Sequence, residues 1–235
     1  MWAGGDPVAR LAAAVETICG MPLQPDAVLI SGDLSDNATD AEYEQVRELL
    51  APLRAPLYVL PGNHDDRAVL RMHFGVPGDG AEPVQYSADL GPVRLVVVDT
   101  TLPGQVPGAL DAERLAWLDA ELAAAPGAPT LVAMHHPAFA TGVPAWDALN
   151  LPVPDRAAFA QVVGGHPHVR RVVAGHVHRT IAGQVGGRAA LTVPSTYVQT
   201  RLTFRDEIEV ADEPAGFALH AVVDGEVISH FQPVH

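Results

Sequence analysis

Four short clusters of aspartate, asparagine and histidine carry the side chains that bind divalent cations, and each follows an apolar run. They are Gly32-Asp33-Leu34-Ser35-Asp36, Pro61-Gly62-Asn63-His64-Asp65-Asp66, His135-His136-Pro137 and Gly175-His176-Val177-His178. Carboxylate, carboxamide and imidazole offer oxygen and nitrogen donors suited to first-row divalent metals. Taken singly, Gly-Asp or Asn-His-Asp is ordinary turn chemistry. His176 and His178 say more: alternation along an extended segment would turn both rings to one side, where they could share a cation. Four clusters after four strands point to one site, because α/β sheets place ligands at the carboxyl ends of their strands.

The elements that must position these clusters read as an α/β chain, with apolar runs alternating with helical patterns. Asp6-Pro7 predicts an N-cap and first helical residue, with a helix to about Cys19 and Gly20 as its stop. Ala27 to Ser31 and Leu57 to Leu60 predict buried strands, and Thr39 with Glu42 a capping box before a helix that turns Tyr43, Val46, Leu49 and Leu50 inward. Helices are expected over Arg67 to Phe74, from Asp111 (apolar face Leu115, Leu118, Leu122) and around Arg156 to Val163. Further strands are expected at Val93 to Asp99, Leu131 to Met134 and Val169 to Ala174. From Thr180 onward, short runs broken at Gly186-Gly187 and Asp224-Gly225 predict antiparallel hairpins. With no internal repeat or long linker, residues 1–235 read as one domain.

The chain has 235 residues, 48% of them hydrophobic and 18% charged, a globular composition long enough to bury a sizeable core. The 28 acidic residues outnumber 14 basic ones, all arginine, for a net charge of −14. That balance argues against nucleic-acid and membrane partners, which need basic patches to meet phosphates. It leaves room for a small phosphate ester whose charge is met by bound cations. The single Cys19, read as buried packing, excludes an internal disulfide. The start MWAGGDPVAR lacks the features of a signal peptide, so a cytoplasmic location is expected.

Taken together and in this order, GDLSD, LPGNHDD, MHHP and GHVH resemble calcineurin-like metallophosphoesterases, and among them class III cyclic nucleotide phosphodiesterases and related glycerophosphodiesterases. The likeness runs from about residue 6 to about residue 200. It implies a four-layer α/β/β/α sandwich with a dinuclear centre of divalent metal ions (Mn, Fe, Zn or Co). Asp33 would bridge the two ions; Asn63, His135 and His176 would complete one site, and His178 would serve the other. The nucleophile would be a metal-bound hydroxide. His64 would act on the phosphate or the leaving oxygen without binding metal, and Asp65 would orient His64 and raise its pKa. Asp36, Asp66 and Asp99 are read as tuners of the metal ligands, and His136 as a neighbour of substrate or ligand.

One family motif is absent. The first strand normally ends in Asp-x-His and supplies two ligands to the site His178 serves; its usual spacing would place it ahead of Met1. Asp6 reads as a helix cap and lacks a histidine two positions on. The domain is therefore expected to be N-terminally truncated relative to the family. Two accounts stand: a working start upstream of Met1, which is favoured because the remaining ligands look intact, or the loss of half of one metal site. For the chain as given, the strand is missing, its neighbour is left unpaired, and the centre is expected to bind one metal tightly and a second weakly. Three functions stand on this reading: hydrolysis of a small phosphodiester, either a 3',5'-cyclic nucleotide or a glycerophosphodiester; a broad phosphomonoesterase; or a non-catalytic metal- or phosphate-binding remnant. The acidic segment from Thr203 to Pro214 reads as an exposed loop, open to rimming the site or to a homo-oligomer contact.

Overall fold

The computed structural model describes residues 5–234; the reading of the chain's first four residues and of His235 lies outside them. In chain order the elements are α1 (Pro7–Cys19), β1 (Val28–Ile30), α2 (Asp40–Leu50), β2 (Leu57–Val59), α3 (Arg67–Phe74), β3 (Tyr86–Asp89), β4 (Arg94–Val97), α4 (Ala112–Ala123), β5 (Thr130–Met134), α5 (Pro144–Ala148), α6 (Val153–Gly165), β6 (Val169–Ala174), β7 (Ile181–Val185), β8 (Arg188–Thr192), β9 (Gln199–Thr200), β10 (Val210–Ala211), β11 (Gly216–Val223) and β12 (Glu226–Pro233).

Successive side chains of a strand point to opposite faces, and that alternation builds the layers. Along and just beyond β4, Leu95 and Val97 enter one apolar cluster while Val96 and Val98 enter another. The first cluster joins Leu131, Ala133, Val173 and Leu191 to Leu29 and Tyr58 of the β1–β2 pair and Val222 and Val227 of the β11–β12 hairpin. The second is closed by Leu118 and Leu122 of α4 and Phe159 and Val163 of α6. On the far side of β1–β2, Ile30 and Val59 meet Tyr43 and Val46 of α2 and Leu70 and Phe74 of α3. Helices, strands, strands and helices thus stack in four layers, as the resemblance implied.

The main sheet runs β3-β4-β5-β6-β8-β7; β4, β5, β6 and β8 are parallel, and β3 and β7 are antiparallel edges. β1 pairs in parallel with β2, and its other edge carries no strand among the described residues. Parallel register brings the loops after β1, β2, β5 and β6 to one end of the molecule: His135 Nδ1 lies 2.8 Å from the Ser31 carbonyl, and the Gly175 amide donates to the His135 carbonyl at 3.0 Å.

Local signals held where the backbone had its own hydrogen-bond solution. Asp6 caps α1, and Thr39 and Glu42 form the reciprocal capping box of α2. The Asp224-Gly225 turn has both residues at positive φ, as a two-residue hairpin requires. Cys19 is exposed rather than buried, because it is the last residue of α1, where its thiol lies 3.5 Å from the Pro52 carbonyl. The α6 helix is longer than expected; it starts behind Pro152, with Pro154 in its first turn.

His220 on β11 makes stability pH-dependent. Its Nδ1 lies 2.8 Å from Ser229 Oγ on β12. Burial, with the Arg171 charge nearby, pushes its pKa down to about 4. Between that value and the unfolded value of about 6.5, the unfolded chain binds more protons, so stability falls as pH drops through this window. The effect is on the order of 2–3 kcal/mol. Thermal unfolding at pH 7 and pH 4.5 should show a larger acid loss in the wild type than in His220→Gln. Equal losses would contradict the assignment.

Candidate metal centre

Each loop enters the site under steric constraint. Gly32 has φ +100°, and a Cβ there would stand 2.4 Å from His135 Nδ1 and 2.7 Å from the Gly62 nitrogen. A Cβ on Gly62 would stand 2.1 Å from Asp33 Oδ1. Those two glycines let the β1 and β2 loops touch. Asp33, His176 and His178 themselves have φ of 55°, 68° and 48°. Left-handed backbone at non-glycine residues costs free energy and gathers at functional sites; here it falls on three of the five residues expected to bind metal. It also corrects the expected route to the His176–His178 pair. The segment after β6 is a tight bend rather than an extended run, with Val177 buried against Trp146 between the two rings.

The donor atoms converge with their lone pairs inward. His135 Nδ1 donates to the Ser31 carbonyl, and His176 Nε2 to the Leu149 carbonyl at 3.0 Å. A neutral imidazole has one N–H, so these carbonyls leave His135 Nε2 and His176 Nδ1 as acceptors. Each lies 3.1 Å from Asn63 Oδ1, itself an acceptor, and His135 Nε2 lies 3.3 Å from Asp33 Oδ2. Acceptors packed against one another in a buried place need a shared positive charge. Carbonyls behind ligating histidines are the outer support such centres use. Asp33, Asn63, His135 and His176 therefore fit a divalent cation by donor type and by orientation.

The electrostatics agree. Burial pushes the Asp33 carboxyl up, but the His135 ring beside it and the His64 amide at 3.0 Å win, holding it well below the usual carboxylate range. Burial lowers the His135 pKa, yet facing Asp33 it ends above its ordinary value. A cation entering between them would displace that proton. Burial holds His176 well below its ordinary value and His178 at about 4, so both stay neutral and able to ligate. Charges on Asp33, His135 and His64 reach His178.

Three imidazoles, His135, His136 and His176, have ring nitrogens within 4.8 Å of one another. His136 is not equivalent to its neighbours. Its Nε2 donates to the Val106 carbonyl and its Nδ1 is met by the Thr100 hydroxyl, both at 2.8 Å. With both nitrogens engaged, and burial helped by His135 bringing its pKa down to about 3, it braces His135 as a neutral ring and is closed to substrate.

Asp65 does not take the role expected of it. Its carboxylate accepts from the amides of Leu34, Ser35 and Gly62 and from the hydroxyls of Ser35 and Tyr43, at 2.8–3.2 Å. It ties the first two loops together instead of orienting His64, because donors from both loops surround it. The His64 ring turns the other way: Nδ1 lies 3.2 Å from the Asp36 carbonyl and 3.5 Å from its carboxylate. Asp66 is spent as the N-cap of α3. Asp99 is spent in a buried ion pair with Arg67 at 2.8 Å and in bonds to Val84 and Thr101. Trp146 on α5, which the sequence reading passed over, stands edge-on to His176 with ring centroids 5.2 Å apart and 6.4 Å from His178. Its one sequence signal was a tryptophan between two clusters.

Gly62→Ala tests the crowding. The new methyl must move Asp33, and overpacking of this kind costs about 1–3 kcal/mol. Lower thermal stability and lost cation binding are expected together; a variant that keeps wild-type binding would contradict the geometry.

A four-layer α/β/β/α sandwich with acceptor-rich loops at the ends of its parallel strands defines a metal-centred class of protein. The chain belongs to the calcineurin-like phosphoesterase family, whose profile matches residues 5–180. It is 32% identical over 201 residues to a probable glycerophosphodiester phosphodiesterase of Arcobacter nitrofigilis, covering 84% of this chain and 73% of the relative. It is 34% identical over 195 residues to a cAMP/cGMP dual specificity phosphodiesterase of Mycobacterium tuberculosis, covering 81% and 60%. Among solved structures it resembles a purple acid phosphatase from yellow lupin seeds (TM-score 0.72, 16% identity, 96% of this chain and 46% of that one). A dimetal phosphatase from Danio rerio is also similar (TM-score 0.65, 17% identity, 97% and 89%). At those identities the structures share the fold. No helix among the described residues is long and apolar enough to cross a membrane.

Proposed function

We propose that the protein is a metal-dependent phosphodiesterase acting on a small diester, a 3',5'-cyclic nucleotide or a glycerophosphodiester. The observation that carries this reading is the convergence of His135 Nε2, His176 Nδ1, Asn63 Oδ1 and Asp33 on one point, each imidazole oriented by a carbonyl behind it. These four residues would hold one divalent cation, and Asp33 with His178 would offer two ligands to a second. Bound there, a cation supplies Lewis acidity to the phosphoryl oxygens and acidifies a water. The donor set suits Mn, Fe, Zn or Co.

The chain's own residues do the rest. Asp33 is 19% exposed, which leaves the centre open to a small ester. His64 is about half exposed at the rim, and Asp36 holds its Nδ1. With Nδ1 held, Nε2 is free to hold a proton for the leaving oxygen. Asp65 keeps the two ligand-bearing loops in register. The relatives named as phosphodiesterases support diester over monoester cleavage. Parallel turnover of bis(p-nitrophenyl) phosphate and p-nitrophenyl phosphate tests it: the diester should be preferred, and a preference for the monoester would overturn the reading.

A further inference from the structure

The segment between β5 and α6 begins at one candidate ligand, His135, and folds back over another. His176 Nε2 donates to the carbonyl of Leu149, the residue that closes α5, and the Leu149 amide donates in turn to the Trp146 carbonyl, both at 3.0 Å. The Trp146 ring stands edge-on to His176, its centroid 5.2 Å away, and 6.4 Å from that of His178. With Val143 it also packs against Val177, the residue between the two histidines. One short helix therefore supplies both the carbonyl that fixes the His176 ring and an aromatic wall beside both histidines.

That helix needs outside support. It has five residues, and its N-cap is Val143, whose side chain makes no capping bond; a helix so short is not stable alone. Asp147, inside the helix, reaches back to the turn before it. Its Oδ1 accepts from the Thr141 amide at 2.7 Å and the Thr141 hydroxyl at 3.0 Å, and its Oδ2 from the Gly142 amide at 3.1 Å. The same Thr141 hydroxyl accepts from the Val143 amide at 3.1 Å, so one carboxylate closes the whole start of α5. Bonds from amides to a carboxylate are among the stronger ones available for this. Two further tethers are single bonds to carbonyls: the Ala145 amide to Arg205 at 3.3 Å, and the buried Asn150 carboxamide to Phe139 at 3.1 Å.

We infer that Asp147 is a positioning residue for the metal centre. By fixing α5 it sets the Leu149 carbonyl and the Trp146 ring, and through them the direction in which His176 presents Nδ1. This rests on the metal-centre reading and extends it to a residue that acts through others. The test is the dissociation constant of the most tightly held manganese ion, read by electron paramagnetic resonance well below the Tm of every variant. Groups directly behind metal ligands are worth about 10–100-fold in affinity, and Asp147 stands one step further out. Asp147→Ala should therefore raise the constant by about 10-fold. Asp147→Asn keeps an oxygen for Thr141 and loses the acceptor for Gly142, so it should fall between the alanine variant and the wild type. Asp6→Ala removes a cap from α1, an element outside the centre, and serves as the control for general destabilisation; it should leave the constant unchanged. Wild-type affinity in both Asp147 variants overturns the proposal, and so does an equal loss in Asp6→Ala. Should the alanine variant not fold, the asparagine variant decides alone, and an unchanged constant there overturns it. A wild type that takes up no manganese is a different result: the metal-centre reading itself fails, and the role of Asp147 falls with it.

Discussion

His135→Ala is expected to lose its divalent cation and to lower diester hydrolysis by more than about 100-fold, with metal content and rate falling together. The supporting groups around metal ligands are typically worth 10–100-fold each, and His135 is proposed to be one of the ligands themselves. Its Nε2 is 3.1 Å from Asn63 Oδ1 and 3.3 Å from Asp33, and its Nδ1 is fixed by the Ser31 carbonyl. Asn63→Ala should behave alike, since its carbonyl oxygen lies between the two imidazoles. Metal analysis beside steady-state rates checks both. A variant that keeps its cation while losing activity would move that residue from the metal to the substrate.

His64→Ala is expected to keep the cation and to lower kcat by about 10²–10⁴-fold, the range of a positioned proton donor. The loss should be greatest for esters with poor leaving groups, which most need the proton. Asp36→Asn should lower kcat in the same way but by less, because Asp36 is 73% exposed and water can replace part of what it does. Asp65→Asn should instead lower thermal stability, since amides from two loops and two hydroxyls converge on that carboxylate. The pairing of Asp36 with His64 fails if Asp36→Asn leaves kcat unchanged while Asp65→Asn lowers it without loss of thermal stability. The whole role of His64 fails if His64→Ala strips the metal.

The parts of the molecule legible in the sequence were those governed by local chemistry. Helix caps at Asp6 and Thr39 and the turn at Asp224-Gly225 are decided by a few neighbouring atoms, and the ligand clusters announce themselves by following apolar strands. The rest depends on distant contacts. Asp36 and Asp65 lie in equivalent-looking motifs, yet which one faces His64 is decided by the amides of Leu34, Ser35 and Gly62 crowding one carboxylate. His135 and His136 are adjacent, and the Ser31 carbonyl on one side and Thr100 and Val106 on the other separate the proposed ligand from the ring beside it. The short strands β3, β9 and β10 carry too few residues for a period to show. Trp146 acts through ring contacts that no spacing encodes.

Stripping the protein with a chelator and returning manganese while following bound metal and diester turnover tests the central claim most directly. Asp33, Asn63, His135 and His176 would form a donor set of four, whereas His178 would share Asp33 with that set. One ion per chain should bind tightly, a second weakly, and turnover should be absent until metal returns. Undiminished turnover in the stripped protein, or two ions held with equal tightness, would contradict the account.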